Sequence, residues 1–353
     1  MHSAIGIDQA PAIRAFLDQR QSATDLDVNN TTGLLLAAMI EAGLDRLVLP
    51  GDGHILLRWQ ALAAVAAHDL SLTKLYEGHT DALAILAEAG VTPPVADSRW
   101  GVWCAEPPQA RVEIRAAGGT DSQEVRLSGT KAWCSGARVL THAILSGWNE
   151  QGQPCLVAVD LYQSGIVISD EGWHAVGMAN TMSVNVQFNE ALGITIGSPG
   201  FYTRRPGFWH GAAGIAACWY GAAAQLVHYL REHLTARNDP HALAHLGRAD
   251  MALNLAACAL RAAAQEIDAA PLGDSYHSAM RVRLGCEWAA TQVMQALGQA
   301  LGAAPYCRDP WSSRMLADLP VFLRQSHAER DLAALGRFCA EQHGSEREHP
   351  WQL

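Results

Sequence analysis

The sequence predicts a mainly α-helical protein with a central β-domain. N-terminal helices lead into a small antiparallel β-barrel or sandwich, and a four-helix bundle follows. Three observations predict it. Apolar residues recur at helical spacing over roughly the first quarter of the chain. Short β-branched runs separated by turn residues follow. Long Ala/Leu-rich segments divided by prolines then run to the C-terminus. These patterns place the boundaries at 1–97, 98–200 and 201–353.

In the first region, Ala10 to Gln21, Thr32 to Ala42, Ile55 to Asp69 and Leu70 to Ala89 read as helices, punctuated by Gly43, Pro50-Gly51 and Gly90. In the second, the strands are 112–115, 125–127, 143–145, 156–159, 166–168 and 184–188. Gly118-Gly119, Asn149-Glu150, Gln163-Ser164-Gly165 and Asn189-Glu190 supply turns between them. In the third, helices are expected over 208–236, 241–269, 275–302 and 320–342, with Pro240, Pro271 and Pro305 in the gaps.

Composition excludes several classes of function. A formal net charge of -10, with lysine only at Lys74 and Lys131, argues against a nucleic-acid surface, since phosphate binding needs a positive field. The eight cysteines form no Cys-x-x-Cys pair and read as reduced thiols of a cytoplasmic protein. Met1 to Arg20 carries acidic residues and no apolar core segment, so no signal peptide is expected there. Gly211 to Val227 is almost wholly apolar, yet it is Gly/Ala-rich and short for a membrane span. A helix buried inside a bundle accounts for it.

Several common motifs are missing. No Gly-x-Gly-x-x-Gly follows a strand, and no phosphate-binding Gly-Lys-Ser/Thr loop or Gly-x-Ser-x-Gly elbow occurs. His241 and His245 stand four apart on one helical face, but without a nearby third ligand they read as ordinary helix residues, and no metal is expected.

One segment is more specific. Leu127-Ser-Gly-Thr-Lys131-Ala-Trp133-Cys-Ser135-Gly-Ala137 resembles the acyl-CoA dehydrogenase motif in which a strand reading Leu-Asn-Gly-x-Lys-x-Trp-Ile-Thr-Asn-Gly lines the flavin. Further segments fall in the family's order. They are Val102-Trp-Cys-Ala-Glu-Pro107, Leu156-Val-Ala-Val-Asp160, Gly172 to Met178 with Val184 to Phe188, and Arg314-Met-Leu-Ala-Asp318. The resemblance covers nearly the whole chain. It implies a flavin, FAD or alternatively FMN, with Trp133 against the ring, Ser135 at its edge, and Trp103, Cys104 and Ala105 on the pyrimidine side. An isoalloxazine needs just such an aromatic wall and rigidly fixed donors. Arg237 stands where relatives reach the partner subunit's FAD, and the resemblance implies a homodimer or homotetramer.

The chain also departs from the pattern. Aligned on Arg337, the position of the usual catalytic glutamate falls on Gln325, which cannot take up a proton as a base. The Tyr76-Glu77-Gly78 triplet lies in the N-terminal helices and is not that segment. Phe208-Trp-His-Gly211, where some members carry the base, has no carboxylate. Gln109-Ala-Arg111 replaces the family's Gly-Ser-Asp. Three functions are therefore expected. The first is a flavin-dependent oxidoreductase acting on an acyl-thioester or related small molecule. The second is a monooxygenase similar to the dibenzothiophene type, using His79 and His327 as proton donors. The third is an inactive scaffold.

Overall fold

The computed structural model describes residues 7–21, 28–93, 95, 97–118, 123–234 and 239–341. Four helices open the chain: α1 (Ala10–Gln21), α2 (Val28–Glu41), α3 (Ile55–His68) and α4 (Leu70–Glu88). Asp69 separates α3 from α4. Its backbone is extended, and its carboxylate accepts the Leu72 N–H at 2.7 Å, which starts the new helix on a side-chain cap.

Seven strands follow: β1 (Trp100–Trp103), β2 (Val112–Ala116), β3 (Glu124–Cys134), β4 (His142–Trp148), β5 (Pro154–Asp160), β6 (Ile166–Ile168) and β7 (Val184–Ile196). The ladder β4-β2-β3-β7-β5 closes on itself through the β4–β5 pairing, so five strands make a small barrel. β1 adds to β4 and β6 to β7 outside that circuit. Not every pairing is antiparallel as expected: β1 runs parallel to β4, and so does the single contact of β2 with β4. The parallel pairing follows from the route of the chain. β1 arrives from α4 at the barrel's side rather than from a hairpin.

The last region holds α5 (Phe201–Arg204), α6 (Gly207–Leu234), α7 (Pro240–Ala269), α8 (Tyr276–Leu301), α9 (Ala304–Cys307), α10 (Pro310–Phe322) and α11 (Glu329–Glu341). α7 and α10 each begin with an Asp cap followed by proline, at Asp239-Pro240 and Asp309-Pro310. That is the order a helix start favours. α6 is buried along most of its length between α3, α7 and α8, which explains its apolar composition. A Cβ on Gly221 would collide with the α3 backbone at Ala63, so glycine sets the close approach of α3 to α6. Among the described residues no helix is long and apolar enough to cross a membrane.

The helix expected over 320–342 is divided. α10 runs into a 3-10 turn at Leu323–Gln325, Ser326 is extended, and Ala328 has φ 44 before α11 begins. Pro320 inside α10 cannot donate its backbone N–H. The Gln325 carbonyl is taken by Arg283 at 2.7 Å, and the Asp331 carboxylate accepts the His327 N–H at 3.1 Å. Side chains from two helices thus satisfy the backbone groups that a continuous helix would have paired.

Candidate active site

A cavity of about 370 Å³ opens at this helix break, between α4, β1, the α5–α6 segment, α8 and α11. Lys74, Glu77 and Asp81 face it from α4, at spacings that share one helical face. Lys74 pairs with Glu77 at 2.9 Å. Asp81 pairs with Arg205 at 3.1 Å, and the other arm of Arg205 meets Glu88 at 2.5 Å. Glu88 also accepts the Gly207 N–H at 2.9 Å and so caps α6. Burial works against the Arg205 charge, but its two carboxylates outweigh it and raise its pKa.

The second wall is aromatic. Tyr202, Phe208, Trp209 and Tyr276 form an edge-to-face series with ring centres 5.1, 4.9 and 4.6 Å apart. Gln325, His327 and Asp331 close the third side, with Arg283 of α8 beside them.

His327 lies at this cavity, with its side chain 64% exposed and its Nδ1 3.4 Å from Asp331. The carboxylate orients the imidazole and leaves Nε2 outward. Gln325 also lines the cavity, so the position read as the dehydrogenase base holds an amide there. His79 departs from the expectation. It is buried, its Nδ1 accepts the Trp100 N–H at 3.2 Å, and its Nε2 lies 3.3 Å from Asp45. Both ring nitrogens tie α4 to its neighbours, and the residue does not line the cavity. His210 is fully buried as well, and burial, reinforced by Arg205, lowers its pKa to about 4.

The expected flavin wall lies on the barrel side. Trp133 sits at a register shift of β3 with φ 58, and half of it is exposed. The irregularity turns the indole outward from the ladder. Trp103 is buried, and its indole N–H donates to the Ser135 carbonyl at 3.1 Å, joining the end of β1 to the turn after β3. Ser135 Oγ lies 2.7 Å from Ser183 Oγ, which is 2.8 Å from Thr181 Oγ1. Cys104 and Ala105 follow β1, half-buried. Burial raises the Cys104 thiol to about 12. Arg237 lies outside the described residues.

These features fit a planar ring. A half-exposed indole offers a face, and a chain of hydroxyls beside it offers donors and acceptors to a polar edge. The motif's lysine has a different role. Lys131 is completely buried and fastens Glu106, from the segment after β1, to β3. No cluster of three or more metal-ligating side chains occurs among the described residues.

Sequence reasoning missed Lys74, Asp81, Arg205 and Arg283. Glu77 was noticed and set apart, yet its carboxylate lines the cavity. The only signal for the α4 trio was its common helical face.

No family model matches the chain, and no curated protein matches its sequence. Its fold does match solved structures. Methanesulfinate monooxygenase MsuC from Pseudomonas fluorescens superposes with a TM-score of 0.78 at 18% identity, over 97% of this chain and 99% of that one. TdsC from Paenibacillus sp. A11-2, solved with FMN and indole, gives 0.76 at 17% identity over 97% of each chain. A steroid ACAD variant, Tcur3481-Tcur3483, gives 0.76 at 19% identity, over 94% of this chain and 97% of that one. The chain has the acyl-CoA dehydrogenase-like fold. At these identities the likeness fixes architecture, and chemistry has to be argued from residues.

Proposed function

We propose that this chain is a flavin-dependent monooxygenase that binds FMN and acts on a small molecule in the cavity between α4, α6, α8 and α11. The observation that carries this reading is the set of groups lining that cavity. Gln325 stands at the dehydrogenase base position, and an oriented, accessible imidazole stands two residues away. Each cavity carboxylate is engaged: Glu77 by Lys74, Asp81 by Arg205, and Asp331 by His327. A carboxylate held by a cation is a poor proton acceptor, so α-proton abstraction is disfavoured.

Two of the three fold neighbours compared are named monooxygenases, one of them solved with FMN, which supports this choice over the ACAD-like reading of the third. FMN is favoured over FAD because Gln109-Ala-Arg111 replaces the family's Gly-Ser-Asp, and Arg111 lies over the Trp148 ring at 4.6 Å. Reduced flavin, when bound, would supply two electrons and the substrate the other two, so that one oxygen atom of dioxygen enters the substrate and the other leaves as water. Trp133, Ser135 and the backbone of Trp103 to Ala105 would hold the flavin. His327, its Nδ1–H oriented by Asp331, would in the imidazolium form donate its Nε2 proton to the oxygen atom that leaves as water.

A cytoplasmic location belongs to this reading and is supported by eight cysteines that form no disulfide. Self-association through the outer bundle face is supported by exposed Leu243, Met251 and Leu255 on α7 and Trp288 on α8.

The test is the oxygen reaction. The chain is loaded with reduced FMN and mixed with oxygenated buffer in a stopped-flow instrument. His327→Ala should change the reoxidation rate by about a hundredfold or more, the range for general acid catalysis. Reoxidation at the rate of free FMN, the same in both proteins, would contradict the assignment.

A further inference from the structure

Arg283 is the cation of the cavity that no carboxylate answers. Lys74 is matched by Glu77, and Arg205 by Asp81 and Glu88. Among the described residues Arg283 makes no ion pair. Its Nη1 donates to the Ala212 carbonyl at 2.9 Å and its Nη2 to the Gln325 carbonyl at 2.7 Å. A guanidinium has five N–H donors, and main-chain carbonyls take two of them. Arg283 is only 8% exposed, and its guanidinium carbon lies 5.0 Å from the centre of the Trp219 ring.

Asp331, Glu287 and Glu77 favour the Arg283 charge from beyond ion-pair distance, but burial outweighs them. Asp331 accepts the His327 N–H at 3.1 Å and has its other oxygen 3.4 Å from that imidazole. Glu287, one turn further along α8, is held by Arg324 at 2.8 Å. Burying a guanidinium is costly unless an anion and hydrogen bonds compensate. Here the compensation is half-built, and the open side of the ion is the cavity. Its planar fork suits the two oxygens of a carboxylate or its sulfur analogue. Tyr276, two turns earlier on the same face of α8, and Trp209, packed against it, line the same cavity.

The geometry points to an anionic substrate class: small, flat organic acids whose oxyanion completes Arg283 and whose ring lies against Trp209 and Tyr276. This rests on the cavity being the substrate site, as proposed above. It names the charge of the substrate, which the fold leaves open.

Calorimetric titration of the full chain with benzoate, benzenesulfinate and benzamide tests it. The three share a ring and differ in charge. Benzoate or benzenesulfinate should bind about tenfold or more tightly than benzamide, the increment of one charge-assisted hydrogen bond. Arg283→Lys, which keeps the charge but not the fork, should keep only part of that preference, and Arg283→Gln should bring the ratio to about one. Equal binding of all three probes by the unaltered chain overturns the proposal, whether or not the variants fold. So does an anion preference that survives Arg283→Gln, or displacement of benzoate by FMN. A chain that prefers benzoate but takes up no flavin keeps the anion site and loses the redox reading, so the two failures are distinguishable.

Discussion

Lys131 and Arg283 are both buried cations, one in the barrel and one among the helices, and their surroundings differ in kind. Lys131 spends all three of its N–H donors inside the protein: on Glu106 at 2.5 Å, and on the carbonyl and hydroxyl of Ser146 at 2.9 Å each. The other Glu106 oxygen accepts the Trp148 indole N–H at 3.0 Å. Burial works against the Glu106 charge, but these hydrogen bonds outweigh it and hold the carboxyl below its usual range. Arg283 engages two of five donors and, among the described residues, has no carboxylate within ion-pair distance. A saturated ion pair joins strands. An unsaturated cation beside a cavity leaves capacity for a ligand.

The contrast breaks if the two sites respond alike to mutation. Lys131→Met should cost about 1–3 kcal/mol, because it removes three hydrogen bonds to Glu106 and Ser146, while the partly exposed Glu106 carboxylate turns to water. Arg283→Gln should cost about 1 kcal/mol, because it gives up two hydrogen bonds while relieving a buried charge that its surroundings only partly offset. Urea denaturation of both variants measures the difference. Equal losses would mean that Arg283 is as structural as Lys131.

Asp318 sharpens the comparison from the side of an anion. It is buried in α10, and its carboxylate accepts the Met178 N–H at 2.5 Å. Burial, which that hydrogen bond only partly offsets, raises its pKa to about 6. The folded state therefore holds this proton more tightly than the unfolded chain, where an Asp titrates near pH ~4. Its contribution to stability is full below that value, falls as pH rises through about 6, and stays low above. Asp318→Asn keeps an oxygen acceptor for Met178 and removes the charge. Above pH ~6 it should stabilise the protein by about 2 kcal/mol, and it should flatten the loss between pH ~4 and ~6. Denaturation midpoints across that range check it, and an unchanged pH profile would show that Asp318 is not the group responsible.

Much of the fold was legible in the sequence because its signals are local. Ala10–Gln21 was bounded as observed, and the strand cores sit within β2 to β7. The division of 320–342 was not legible, because its causes are non-local: Arg283 reaches from α8 to the Gln325 carbonyl. The site was legible only in part. Trp133, Ser135 and Gln325 could be placed because a motif or an alignment named them. Arg283 could not, since in sequence it sits among Arg281 and Glu287 as an ordinary charged turn of helix. Only packing shows that its side chain points inward. His79 was misjudged for the opposite reason: a histidine near the expected region looked available, and tertiary hydrogen bonds occupy both of its nitrogens.

The central claim is that the half-exposed indole of Trp133 is one face of a flavin site, and a binding titration addresses it most directly. Purified chain added to dilute FMN should quench the flavin's fluorescence to saturation. Trp133→Ala should weaken that binding about tenfold, consistent with losing one aromatic stacking partner. Undiminished fluorescence with both FMN and FAD at high protein concentration would contradict the claim.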